Sequence, residues 1–294
     1  MVLGSNMSGS DVSGSNIPGS NVHGSNVPGS KNNQPKKATA IIPARLESTR
    51  FPRKALAADT GTPLIVHVCE RAAKAHRVER VVVATDAEEI AETVRAHGFE
   101  AVMTGEHDNG TSRVHEAAHA LRLARDASVI NVQGDEPEID PETIDAAFRA
   151  HRDELDQRIA FSVGTVASPF AADEDPGDPN IVKAVVARDP EQPDIEIANA
   201  IYFSRAPVPF DRDGTGPAKP LKHVGIYAYS PEMLSKFVRA PAGELERTEK
   251  LEQLRWYEMR GRLHGVRVAI RPTAHHGIDT PEQYAAFVER WRAT

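Results

Sequence analysis

A single cysteine in 294 residues, Cys69, excludes an internal disulfide framework and suits a reducing cytoplasm. No apolar run reaches the roughly 18–20 residues that a membrane helix needs, so no membrane association is expected. The dinucleotide fingerprint G-x-G-x-x-G and the P-loop G-x-x-x-x-G-K-[ST] are both absent, so any phosphate must be held by side chains and loop amides. A net charge of −7 argues against nucleic acid as a partner. The N-terminal stretch has neither a basic leader with an apolar core nor an arginine-rich transit pattern, and a cytoplasmic location is expected. Large apolar side chains are also missing there. Gly4, Gly9, Gly14, Gly19, Gly24 and Gly29 recur every fifth position, each followed by serine. Such a tract cannot offset the entropy of ordering its backbone, so residues 1–37 are expected to be a disordered low-complexity tail. One folded domain is expected over 38–294.

What is present is a strand-then-helix rhythm. Strands are expected at 39–43, 80–85, 100–103 and 128–133, with helices at 63–76, 86–97, 111–125 and 141–152. These strands are continuous Val/Ile runs, as in a mostly parallel sheet covered on both faces, so the first half reads as doubly wound α/β. After residue 159 the rhythm changes. Strands at 159–166, 181–188, 195–203 and 222–230 have few helices between them, which suggests a smaller mixed α/β lobe over roughly 159–245. Helices at 231–239 and 244–260, a strand at 265–270 and a last helix from Pro281 complete the order. Cys69 falls on the first of these helices and reads as a small buried side chain rather than a nucleophile.

Ligands of such sheets bind beyond the carboxyl ends of the parallel strands. Directly after the first strand, IIPARLESTRFPRKAL (41–56) places Arg45, Arg50, Arg53 and Lys54 against one acid, Glu47. So sharp a reversal of charge in an acidic chain suits a polyanion such as a nucleoside triphosphate. After a later strand, VQGDEP sets Asp135 and Glu136 on a turn that Gly134 permits. A carboxylate there is either a ligand for a hard divalent cation or a solvated turn acid. GIDTPEQ offers Asp279, which is either a further ligand or part of a helix start capped by Asp or Thr with proline in the first turn.

These segments, with ATD at 84–86, YFSRAPVPFDRD at 202–213, KHVGIYAY at 222–229 and EKLEQLRWYE at 249–258, run in one order from about residue 39 to 292. In that order they resemble the 3-deoxy-manno-octulosonate (Kdo) cytidylyltransferases, the CMP-Kdo synthetases. The resemblance implies a nucleotide-diphospho-sugar transferase-like fold with a dimerisation lobe. It implies an enzyme that takes CTP and Kdo to CMP-Kdo and pyrophosphate with Mg²⁺, supplying lipopolysaccharide synthesis, and it implies a homodimer. By the same resemblance Arg45, Arg50 and Lys54 meet the triphosphate, Thr111 and Arg113 lie on the nucleotide side, and Asp135 and Asp279 hold magnesium. Gln133, Arg205, His223, Tyr227, Glu252 and Gln253 line the sugar pocket, with Arg205 facing the sugar's carboxylate. Two places depart from the family's usual pattern. Arg53-Lys54-Ala55 stands where Gly-Lys-Pro is usual, and Asn109-Gly110-Thr111-Ser112-Arg113 stands where Ser-Gly-Thr-Glu/Asp-Arg is usual.

Two alternatives remain at this stage. One is a cytidylyltransferase that activates another acidic sugar, of the sialic type. HEAAH at 115–119 matches the H-E-x-x-H spacing of zinc hydrolases. Against that, the apolar stripe Val114, Ala117, Ala118, Leu121 leaves His115 and His119 on a more polar face, and a solvated face is the expectation for them and for His275-His276.

Overall fold

The computed structural model describes residues 37–152, 163–188, 191, 196–259, 265–273 and 277–294. The repetitive tail, the start of the strand expected at 159–166 and the His275-His276 pair lie outside the described residues. The first half comprises β1 (Ala38–Ala44), α1 (Leu64–Ala73), β2 (Val78–Thr85), α2 (Glu88–Ala96), β3 (Glu100–Met103), α3 (Gly110–Ala120), β4 (Ser128–Asn131) and α4 (Pro141–His151). After it come β5 (Val163–Pro169), β6 (Lys183–Ala187), β7 (Ile197–Ser204), β8 (Leu221–Tyr229), α5 (Pro231–Arg239), α6 (Glu244–Glu249), α7 (Arg255–Glu258), β9 (Val266–Ile270) and α8 (Pro281–Arg292).

The nine strands among the described residues form one mixed sheet in the order β3-β2-β1-β4-β8-β5-β9-β7-β6. β1 pairs in parallel with β2 and β4, and β2 with β3. β8 enters antiparallel between β4 and β5. The stretch expected as a smaller lobe supplies β5–β8 to this same sheet, and β6 and β7 form its far edge.

The uninterrupted apolar runs have a simple origin. Strand side chains alternate between faces, and both faces are covered. In β1, Ala40 and Ile42 pack with Ile65, Cys69 and Ile90 from α1 and α2, whereas Ile41 packs with Val114, Ala117 and Phe237 from α3 and α5. A polar residue on either side would be buried without a partner. Cys69 is fully buried, and burial pushes its thiol up to about 12, as expected of an inert core side chain.

One expected element is corrected. The helix expected over 244–260 stops at Glu249, because Lys250 adopts a left-handed conformation (φ 54°). The chain then makes a 3₁₀ turn over Glu252–Leu254 and a short helix, α7. Leu251, Leu254 and Trp256 are all buried in the core beside α5. On a straight helix Leu251 and Trp256 would stand about 140° apart and could not share one face. The break seats them together and turns Glu252 and Gln253 inward.

Candidate active site

The crevice lies where the chain, having run outward from β1 to β3, returns to place β4 on the other side of β1. Loops leaving the carboxyl ends of β1 and β4 face each other there. Gly134, in the loop after β4, packs so closely on the end of β1 that an added Cβ would lie 2.7 Å from the carbonyl oxygen of Pro43. The cleft holds about 270 Å³ and is lined by Arg45, Arg50, Lys54, Arg113, Gln133, Asp135 and Asp279, among others.

Asp135 and Asp279 are brought together by backbone and cap geometry. The N–H of Ile278 donates to the carbonyl of Asp135 at 2.9 Å, joining the loop after β4 to the approach of α8. The sequence left open whether Asp279 or Thr280 caps α8. Thr280 does: its hydroxyl accepts from Gln283 N, and the Gln283 side chain accepts from Thr280 N, forming a capping box. Asp279 is thereby left to face the cleft. Lys54 Nζ lies 3.2 Å from Asp135 Oδ2 and 3.5 Å from Asp279 Oδ1, and Arg50 lies 2.9 Å from Asp279 Oδ2. The two carboxylates therefore flank one ammonium. Glu136, by contrast, is buried. Arg45 is exposed on the cleft wall and makes no hydrogen bond or ion pair among the described residues.

Thr111 and Arg113, expected on the nucleotide side, sit at the start of α3. Asn109 is its N-cap, its side chain accepting from Ser112 N at 2.8 Å. The usual Ser and Glu/Asp of this segment are the cap and third-residue positions of a helix start, so Asn109 preserves the cap that the departure touches. Arg113 is buried and committed: it donates to Asp86 Oδ2 at 2.6 Å and to Thr104 Oγ1 at 2.7 Å, tying α3 to the ends of β2 and β3. Asp86, in the ATD segment at 84–86, carries no role in the sequence pattern. It is the counter-ion that makes burying Arg113 affordable.

The residues expected at the sugar do not all come together. Gln133 Nε2 donates to the carbonyl of Gly225, and His223 Nε2 lies 2.9 Å from Thr165 Oγ1 with its ring against Tyr227. Tyr227, Glu252 and Gln253 line a small cavity with Thr111 and Tyr229. Glu252 accepts from Thr111 Oγ1 at 2.7 Å, and burial holds its carboxyl above the usual carboxylate range. Arg205 stands apart. Its guanidinium donates to the carbonyls of Pro179, Glu249 and Lys250, so it must exchange these to reach a substrate carboxylate.

HEAAH is otherwise engaged. Glu116 accepts from Gly105 N and from His107 at 2.5 Å, and His119 is exposed on α3. No group of three or more His, Cys, Asp or Glu able to hold a metal is found among the described residues. Two carboxylates, with phosphate oxygens and water completing the shell, nevertheless suit Mg²⁺, which usually keeps several waters and one or two protein carboxylates. No helix among the described residues is long and apolar enough to cross a membrane.

Residues 39–263 match the family described as Cytidylyltransferase. A 3-deoxy-manno-octulosonate cytidylyltransferase of Syntrophobacter fumaroxidans is 43% identical over 254 residues, covering 86% of this chain and 96% of that protein. The solved structure of a CMP:2-keto-3-deoxy-manno-octonic acid synthetase complexed with CTP superposes with a TM-score of 0.75 at 35% identity, covering 88% of this chain and 99% of that one. A UTP-bound UGPase from Acinetobacter baumannii, at 12% identity and a TM-score of 0.55 over 87% of this chain and 93% of that one, shares the fold.

Proposed function

The chain belongs to the 3-deoxy-manno-octulosonate cytidylyltransferase family, and from that membership we infer that it activates Kdo by transferring CMP from CTP to the sugar's anomeric hydroxyl, releasing pyrophosphate. It is a nucleotidyltransferase. The observation that carries the reading at the level of residues is the meeting of Asp135, Asp279 and Lys54 at the mouth of the parallel strands.

The displacement at the α-phosphorus needs no covalent catalyst, so the protein's work is positioning and charge neutralisation. Arg45, Arg50 and Lys54 are the cations available to the triphosphate and to the departing pyrophosphate. Asp135 and Asp279 are the residues that would hold Mg²⁺, which supplies polarisation of phosphoryl oxygens and a lowered pKa for an attacking hydroxyl. Arg113, fixed by Asp86, and Thr111 would present the start of α3 to the nucleotide. Gln133, His223, Tyr227, Glu252 and Gln253 would hold the sugar, with Arg205 entering once its carbonyl partners are exchanged. A homodimer in the cytoplasm, feeding lipopolysaccharide synthesis, completes the proposal.

The test is pyrophosphate release from CTP and Mg²⁺ with Kdo, set against a sialic-type acid and against UTP in place of CTP. Release with CTP and Kdo alone is the expected result. Equal or faster release with the sialic-type acid would transfer the chain to the alternative substrate.

A further inference from the structure

An ammonium has three N–H donors, and those of Lys54 have three oxygens within reach: Asp135 Oδ2 at 3.2 Å, Asp279 Oδ1 at 3.5 Å and the carbonyl of Ile278 at 2.5 Å. Two carboxylates and a backbone carbonyl are also the donor set of a hard-cation site. The lysine head is enclosed, with its side chain 15% exposed, while the two acids are 33% and 43% exposed. Arg50 adds a second positive charge on the outer oxygen of Asp279. Both cations are tethered on the segment that follows β1, and both are the groups assigned above to the triphosphate.

We propose that Lys54 is the resting occupant of the divalent-cation site, so that a metal ion must displace the ammonium to bind and does so readily only when a triphosphate draws Lys54 and Arg50 onto its own oxygens. This rests on the assignment of Asp135 and Asp279 as metal carboxylates. The physical reason is competition between like charges for the same oxygens. An ammonium and a divalent ion cannot occupy one small cage, because their repulsion in a partly desolvated cleft is steep. A polyanion relieves the conflict by offering Lys54 an alternative partner of higher charge. Nucleotide and metal thus favour each other's binding, and by linkage the coupling is reciprocal. In the resting state the acids are neutralised internally, which keeps free metal from filling the site in a non-productive order.

The experiment uses Mn²⁺ as the probe and the full-length protein without nucleotide, with binding read by electron paramagnetic resonance of free Mn²⁺ and by calorimetry. Lys54→Met and Lys54→Gln are compared with the wild type, and each is also combined with Asp135→Asn. Two different replacements guard against a single variant that fails to fold, and thermal melting verifies each. The expected result is that the Lys54 variants bind Mn²⁺ about tenfold tighter or more than the wild type, although they lack a group needed for turnover, and that Asp135→Asn removes the gain. Lys54 variants that bind Mn²⁺ no tighter than the wild type, while Asp135→Asn still weakens binding, would overturn this inference and leave the metal assignment standing. Binding that Asp135→Asn leaves untouched would overturn the metal assignment itself, and this inference with it.

Discussion

The backbone N–H of Ile278 donates to the carbonyl of Asp135 at 2.9 Å across 143 positions of chain, and this bond lets two distant acids serve one site. It fixes the loop after β4 against the turn into α8. Asp135 and Asp279 then both reach Lys54, while Thr280 rather than Asp279 satisfies the helix start.

A second pair, Glu252 and Thr111, joins a residue proposed for the sugar to one proposed for the nucleotide. Because burial raises the folded-state pKa of Glu252, the folded protein holds its proton to higher pH than the unfolded chain does. The favourable contribution is complete below the unfolded carboxyl's value and is lost as pH rises through the folded one. At pH 7 the buried carboxyl therefore costs stability relative to acid pH. Glu252→Gln is expected to raise the melting temperature at pH 7, with the gain shrinking as pH falls toward 4, and to lower kcat/KM for the sugar. A lower melting temperature at pH 7 would contradict this.

Gly134→Ala is expected to damage the site through the backbone. Its Cβ would lie 2.7 Å from Pro43 O and 3.5 Å from Ile65 Cδ1, so the loop after β4 must lift from the end of β1 and from α1. Overpacking of this kind costs about 1–3 kcal/mol. Chemical denaturation should show a loss in that range, with turnover falling further because Asp135 is the next residue. Unchanged stability would mean that the loop after β4 does not rest on the end of β1.

His115→Ala should leave turnover within about twofold of the wild type, since half-buried His115 does not line the cleft and changes away from special features are usually small. Burial, and then the positive charge of Arg239, lower the pKa of His115, and Glu116 is already engaged with His107 and Gly105. A zinc-selective chelator should likewise have no effect. Loss of activity on either treatment would return the H-E-x-x-H reading to consideration.

Much of the fold was legible because the two-sided burial of β1, β2 and β4 writes itself as unbroken Val/Ile runs. The cations after β1 were legible from their density alone. Asp279 was not, since Asp-Thr-Pro-Glu serves equally well as a helix start, and only the capping box of Thr280 and Gln283 separates the two roles. Neither was the break at Lys250, because no glycine or proline marks it. Its cause is tertiary: Glu249 turns to accept from Ser204 and from the backbone of Arg205 while Leu251 and Trp256 seek the same core. The partners of Arg205 and Arg113 were hidden for the same reason. Backbone carbonyls and a carboxylate 27 positions away leave no local signal.

The central claim, that Asp135 and Asp279 act together on CTP, is tested most directly by pyrophosphate release from CTP, Kdo and Mg²⁺ in Asp135→Asn, Asp279→Asn and the double variant. Loss of one preorganised electrostatic group typically lowers kcat by about 10²–10³, and each single variant is expected to fall in that range. Groups acting as a unit are non-additive, so the double variant should be little worse than either. Full activity in either single variant, or losses that multiply in the double, would contradict a site in which both carboxylates serve one ion.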